Sequence, residues 1–126
     1  MTQTDKELLL KDLCSRLPYG VKVQDIYYNS LEPAPIWLID INAQNVRMFA
    51  DECYQSIEYI KPYLFPMSSM TKEQKEEHKD LLDNQYSFDA NGSIFTLQDF
   101  YNKYHLDYRG LIPMGLANDA TGKNIY

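Results

Sequence analysis

The stretch Ile57–Met70, IEYIKPYLFPMSSM, constrains this chain more than any other. Pro62 and Pro66 interrupt a run of large apolar and aromatic side chains, so no long helix passes through it. Tyr59, Ile60, Tyr63, Leu64, Phe65 and Met67 are too apolar to be left in water, so the segment is expected to lie across a core. Ser68 and Ser69 then release the chain toward a helix start at Thr71. The segment therefore separates residues 1–66, a helix plus a β-rich half, from residues 67–126, a mainly helical half. With 126 residues in all, a single domain is expected, large enough for a core without metal or disulfide staples.

Upstream, Thr4 and Glu7 have the spacing of a capping box. Leu8, Leu9, Leu10, Leu13, Cys14 and Leu17 follow at helical intervals, with Lys6, Lys11, Asp12 and Arg16 assigned to the opposite, solvent face. Pro18 and Gly20 end that helix. From Gly20 to Tyr28 the period changes to that of a strand, through Val21 and Val23, with a bulge expected near Asp25. Ile36–Ile41 and Val46–Ala50 are β-prone runs joined by the short polar segment Asn42–Asn45, as in a hairpin. Pro33 and Pro35 fit the entrance to an edge strand. Three or four short antiparallel strands between residues 20 and 66 predict a small curled, SH3-like sheet.

Downstream, Thr71 and Gln74 open a highly charged helix over 71–83 whose stripe is only His78, Leu81 and Leu82. Asn91-Gly92 is the strongest turn signal in the chain and makes 84–93 a loop or hairpin. Thr96 with Asp99 caps a third helix carrying Phe100, Tyr101, Tyr104 and Tyr108 at three- to four-residue spacing. Asp107 is placed to cap a further weak turn over 109–117, and the tail from Asn118 reads as loosely ordered apart from an anchor at Ile125 and Tyr126. The fold class is thus α+β: an N-terminal helix, a small antiparallel sheet, then two to three C-terminal helices.

Charge and composition narrow the function. The net charge is −6, and each half carries six basic against nine acidic residues, so no basic tract is available for nucleic acid. No run approaches a membrane span, and the polar N-terminus does not read as a secretory signal, so a cytoplasmic protein with reduced thiols is expected. Cys14 and Cys53 match no metal or redox spacing, and a disulfide between them is disfavoured.

Three runs resemble a known family: KDLCSRLPYGVKV (11–23), IKPYLFPMSSMT (60–71) and FYNKYHLDYRGLIPMGLA (100–117). They are similar to blocks of uncharacterised small proteins carried by Bacteroides-type gut bacteria, their phages and their mobile elements. The resemblance implies an intracellular accessory protein and brings with it no reaction, cofactor or partner. Relatives tend to carry a Glu-Lys-type pair where this chain has Pro113-Met114, which implies a shorter last helix here.

Candidate sites follow from residue chemistry. His105 and Asp107 offer an imidazole near a carboxylate, and His78 lies among Glu76, Glu77 and Asp80. No His–His or Cys–His ligand spacing supports a metal, and none is expected. His105 is better explained as a cationic ring at a helix C-terminus. Cys14 reads as a small buried hydrophobe, and Ser68 and Ser69 as loop and cap residues rather than an anion site. Tyr59, Tyr63, Tyr101, Tyr104, Tyr108 and Arg109 are the candidate binding residues; core packing outweighs site use for periodic aromatics. The leading expectation is a non-enzymatic protein-interaction module with an unknown protein partner and no cofactor. One alternative is a small-ligand binder, such as an anti-defence protein sequestering a nucleotide signal, with Arg109 or Lys61 on phosphate. A further alternative is an enzyme using His105 and Asp107, and homo-oligomerisation stays open.

Overall fold

A computed structural model describes residues 1–27, 32–48 and 54–126. Its fold is α+β: an N-terminal helix, a mostly antiparallel sheet and C-terminal helices. Helix α1 (Gln3–Arg16) is capped by Thr2, whose hydroxyl accepts from the Asp5 N–H at 3.1 Å while the Asp5 carboxylate accepts from the Thr2 N–H at 3.2 Å. The cap is therefore Thr2–Asp5, not Thr4–Glu7. Both pairs have the required spacing, and the earlier one adds hydrogen-bonded residues once the nucleus has formed. A 3₁₀ turn at Leu17–Tyr19 and Gly20, at φ 72°, turn the chain out of the helix. That left-handed conformation is one a side chain would strain.

Strands β1 (Lys22–Asp25), β2 (Ala34–Asp40), β3 (Asn45–Met48), β4 (Tyr54–Ser56), β5 (Ile60–Leu64) and β8 (Asn118–Asp119) form one sheet in the order β4-β3-β2-β1-β5-β8. All pairings are antiparallel except β5 with β8. The expected hairpin is present as β2 and β3; Phe49, Ala50, Tyr28 and Cys53 lie outside the described residues. Two expectations are corrected. Pro35 is in an interior strand, because β2 divides its length between neighbours: Ala34 and Pro35 face β1, and described pairing with β3 starts at Ile36. The bulge falls in β2 between Ile36 and Leu38 rather than near Asp25, which ends β1. The crossing segment becomes a 3₁₀ turn (Ile57–Tyr59) followed by β5, in which Pro62 faces Val23.

Helix α2 (Lys72–Asn84) and helix α3 (Leu97–Lys103) carry the predicted Thr71–Gln74 and Thr96–Asp99 capping boxes. Between them strands β6 (Tyr86–Phe88) and β7 (Ile94–Thr96) form a separate hairpin around Gly92. Residues 111–115 are turns rather than a further helix, consistent with Pro113 and Gly115. The tail has the expected anchor, since the Tyr126 hydroxyl donates to the Tyr63 carbonyl at 2.8 Å and accepts from the Lys22 N–H at 2.9 Å, but its start is not loose: β8 pairs with β5.

Among the described residues two clusters of buried side chains result. The larger joins Leu9, Leu10 and Leu13 of α1 to Val23, Ile36, Val46, Ile60 and Leu64 of the sheet and to Leu111. The smaller is centred on Leu81, Phe100 and Leu106, with Phe65, Phe95, Tyr101 and Tyr104 packed around it. Asp12 and Arg16 do not face solvent: both are fully buried. Arg16 Nε donates to Asp12 at 2.7 Å and its Nη2 to the Leu106 carbonyl at 2.7 Å, while Arg109 Nε donates to the other Asp12 oxygen at 3.1 Å. Helical periodicity put these charges on the outer face. The chain at 106–109 covers that face, and a carboxylate shared by two guanidiniums tolerates burial.

Candidate functional site

The candidate tyrosines divide. Tyr101 and Tyr104 project from α3 into the smaller core, against Phe100 at ring-centroid distances of 5.8 and 5.1 Å. Each keeps its hydroxyl paired: Tyr101 with His78 Nε2 at 2.8 Å, Tyr104 donating to Glu77 at 2.9 Å. Tyr108 stacks on Tyr101 at 4.9 Å, and the Arg109 guanidinium lies 4.8 Å from the Tyr108 ring and bonds its hydroxyl at 2.6 Å. Arg109 is thereby committed to Tyr108 and Asp12, a structural lock. Tyr59 instead packs on Tyr27 at 5.1 Å, and Tyr63 lies buried in β5. Among the described residues no ring contact joins Tyr59 or Tyr63 to Tyr101, Tyr104 or Tyr108.

His105 and Asp107 also diverge. Both Asp107 oxygens accept backbone N–H groups, from Leu111 at 2.8 Å and Ile112 at 2.9 Å, so this carboxylate caps the turns after it. His105 follows α3 at φ 55°, where the N–H of Leu106 reaches the Tyr101 carbonyl at 2.8 Å and its own N–H reaches Asn102 at 3.2 Å. That is a Schellman ending with histidine in the left-handed position usually held by glycine. The ring is about nine-tenths buried, stacks on Tyr126 at 3.6 Å, and has no hydrogen-bond partner for Nδ1 among the described residues. Burial, reinforced by Arg16 and Lys22, lowers its pKa to about 4. The expected cationic helix end is therefore a neutral ring, because loss of hydration outweighs the attraction of the helix terminus.

Among the described residues three surface features stand out. The first is a cleft of about 290 Å³ lined by Phe65, Ser69, Thr71, Gln74, Lys103, Tyr104, His105, Leu106 and Thr121. The second is an apolar groove of about 470 Å³ between α1 and the β2–β3 turn, walled by Leu10, Cys14 and Ile41. Cys14, expected to be buried, is half-exposed there, a free thiol whose pKa burial pushes up. The third is the β6–β7 arm. Phe88 faces Ile94 across the pair, and Tyr86, two residues before Phe88, shares that face. These side chains are 65%, 63% and 50% exposed. Sequence reasoning read 84–93 as a loop or hairpin and missed this face; the alternation Tyr86, Phe88, with Ile94 across Asn91-Gly92, was the available signal.

Among the described residues no cluster of three or more His, Cys, Asp and Glu side chains could hold a metal ion, and no helix is long and apolar enough to cross a membrane. No family model, curated protein or solved structure matches this chain.

Proposed function

We propose that this chain is a non-enzymatic protein-interaction module, an accessory protein of phage or mobile-element origin acting in the cytoplasm. The observation that supports it best is the arm: three large apolar side chains, each at least half exposed, on one face of a two-stranded hairpin. A contiguous apolar face of this kind is the usual mark of a docking surface. The hairpin has only two strands, and such a sheet gains most from a partner that covers its face. Behind it, Phe95 and Phe100 tie the arm to the smaller core, so the face is presented on a firm base. A second exposed aromatic patch, Trp37 and Tyr54, already encloses the Arg47 guanidinium at 4.5 and 6.0 Å, which satisfies much of its surface.

The test is affinity capture from a lysate of a Bacteroides-type host. A discrete, stoichiometric protein is expected, lost on Phe88→Ser and kept on Trp37→Ser. Capture that both variants preserve, or that neither shows, overturns the docking arm. Sedimentation of the same variants reports whether a second copy of the chain is the occupant.

A further inference from the structure

We propose that the cleft between the start of α2 and the end of α3 binds a small ring-bearing oxyanion, of the size of a nucleoside monophosphate. This site is independent of the β6–β7 arm, none of whose exposed side chains lines it. Its volume, about 290 Å³, lies at the lower end of small-molecule sites, enough for one ring system and one phosphate and too little for a peptide segment.

The walls define the chemistry. Phe65 and Tyr104 give aromatic surface, and Ser69, Thr71, Gln74 and Thr121 give short polar groups. Among the described residues no Asp or Glu lines the cleft; Glu77, nearby on α2, is occupied by the Tyr104 hydroxyl. Lys103 supplies the cation. Its ammonium lies 5.1 Å from the Tyr104 ring and 5.6 Å from the Phe95 ring, and it has no ion-pair partner among the described residues. Such ring contacts orient an ammonium without neutralising it. The start of α2 adds to the field. Thr71 takes the N–H of Gln74, leaving those of Lys72 and Glu73 for an outside acceptor.

His105 belongs to the same wall. It is about nine-tenths buried and leaves Nδ1 without a hydrogen-bond partner. It is also held in a left-handed conformation that a β-carbon disfavours. Nδ1 itself lies beneath the surface of that wall, so the ring meets the cleft through its other atoms and serves as a reporter of what occupies it.

The experiment is an amide-resolved NMR titration of the full chain with adenosine 5′-monophosphate, adenosine and inorganic phosphate. Saturable shifts with the monophosphate are expected at Ser69–Gln74, Lys103–Leu106 and Thr121, together with a shift of the His105 imidazole signals. Inorganic phosphate is expected to move the same amides with at least about tenfold weaker affinity, since it lacks the ring. Lys103→Met, at an exposed position, is expected to weaken the monophosphate about tenfold. Phe88→Ser is expected to leave it unchanged, which separates this site from the docking arm. The proposal is overturned by the absence of saturation up to about 10 mM, by shifts that map elsewhere, by adenosine binding as tightly as its monophosphate, or by full affinity in Lys103→Met.

Discussion

The two buried clusters are built on different principles. Under the sheet, Leu9, Leu13, Val23, Val46, Ile60 and Leu64 are apolar throughout, and removal of surface from water is sufficient to hold them. Around Phe100 the packing is aromatic, and its outer members end in polar groups that reach named partners: Tyr101 to His78, Tyr104 to Glu77. An aliphatic core closes on itself. An aromatic core with polar tips can stop short of closure, because each ring edge is satisfied by a hydrogen bond at the surface. That difference explains why the arm and the polar cleft both border the second cluster. Between the clusters, Asp12, Arg16 and Arg109 join α1 to the chain after α3.

That junction is where the comparison breaks most visibly. Asp12→Leu leaves two guanidiniums facing each other without a counter-charge, and a loss of about 3–5 kcal/mol is expected in urea unfolding. The double variant Asp12→Leu, Arg16→Met is expected to recover part of that loss, since the unpaired buried charge is removed with its partner. Equal destabilisation by the single and the double variant would show that packing, not charge, joins the two clusters.

Phe100→Ala is expected to cost about 3–4 kcal/mol, within the range for a fully buried aromatic. Leu13→Ala falls in a similar range, about 2–5 kcal/mol. Hydrogen exchange separates them. Phe100→Ala should lose protection first in β6, β7 and α3 while the sheet amides stay slow; Leu13→Ala should speed exchange throughout β1, β2 and β5. Identical exchange patterns would mean that the clusters unfold as one.

The pH dependence belongs to the second region. The folded-state pKa of His105, about 4, lies below its usual 6.5, so the unfolded chain binds the proton more readily. Stability is therefore full above about pH 6.5 and falls as pH drops toward 4, by roughly 2–3 kcal/mol. His105→Asn tolerates the left-handed backbone and removes this acid limb, though it forfeits the ring stacked on Tyr126. Tyr126 gives the opposite limb: burial raises its phenol to about 12, so stability is lost as pH rises above 10. The smallest effect is at the caps. Thr71→Ala should cost about 1 kcal/mol and fray α2 alone, read by hydrogen exchange of its first turn.

Much of the framework is legible in the residues. The Thr71 and Thr96 boxes, the β2–β3 hairpin, the Asn91-Gly92 turn and the Gly20 stop are local signals, set by interactions within a few residues of sequence. The same locality misled the reading of α1. Its period assigned Asp12 and Arg16 to water, and only the return of residues 106–109 some 90 positions later covers that face. The spread of the site candidates has a related reason. Tyr59 and Tyr63 share a residue type with Tyr101 and Tyr108, and type alone carries no distance.

By itself, then, the sequence determined the α+β class, the starts of α2 and α3, the Asn91-Gly92 and Gly20 turns and the aromatic character of the second half, all of which follow from short-range hydrogen bonding and periodicity. Tertiary structure decided which charges are buried, how Tyr126 anchors the tail to Lys22 and Tyr63, and why His105 is neutral. Those outcomes depend on what lies across a gap from each side chain. Desolvation and pairing at that distance reverse what local chemistry alone would assign.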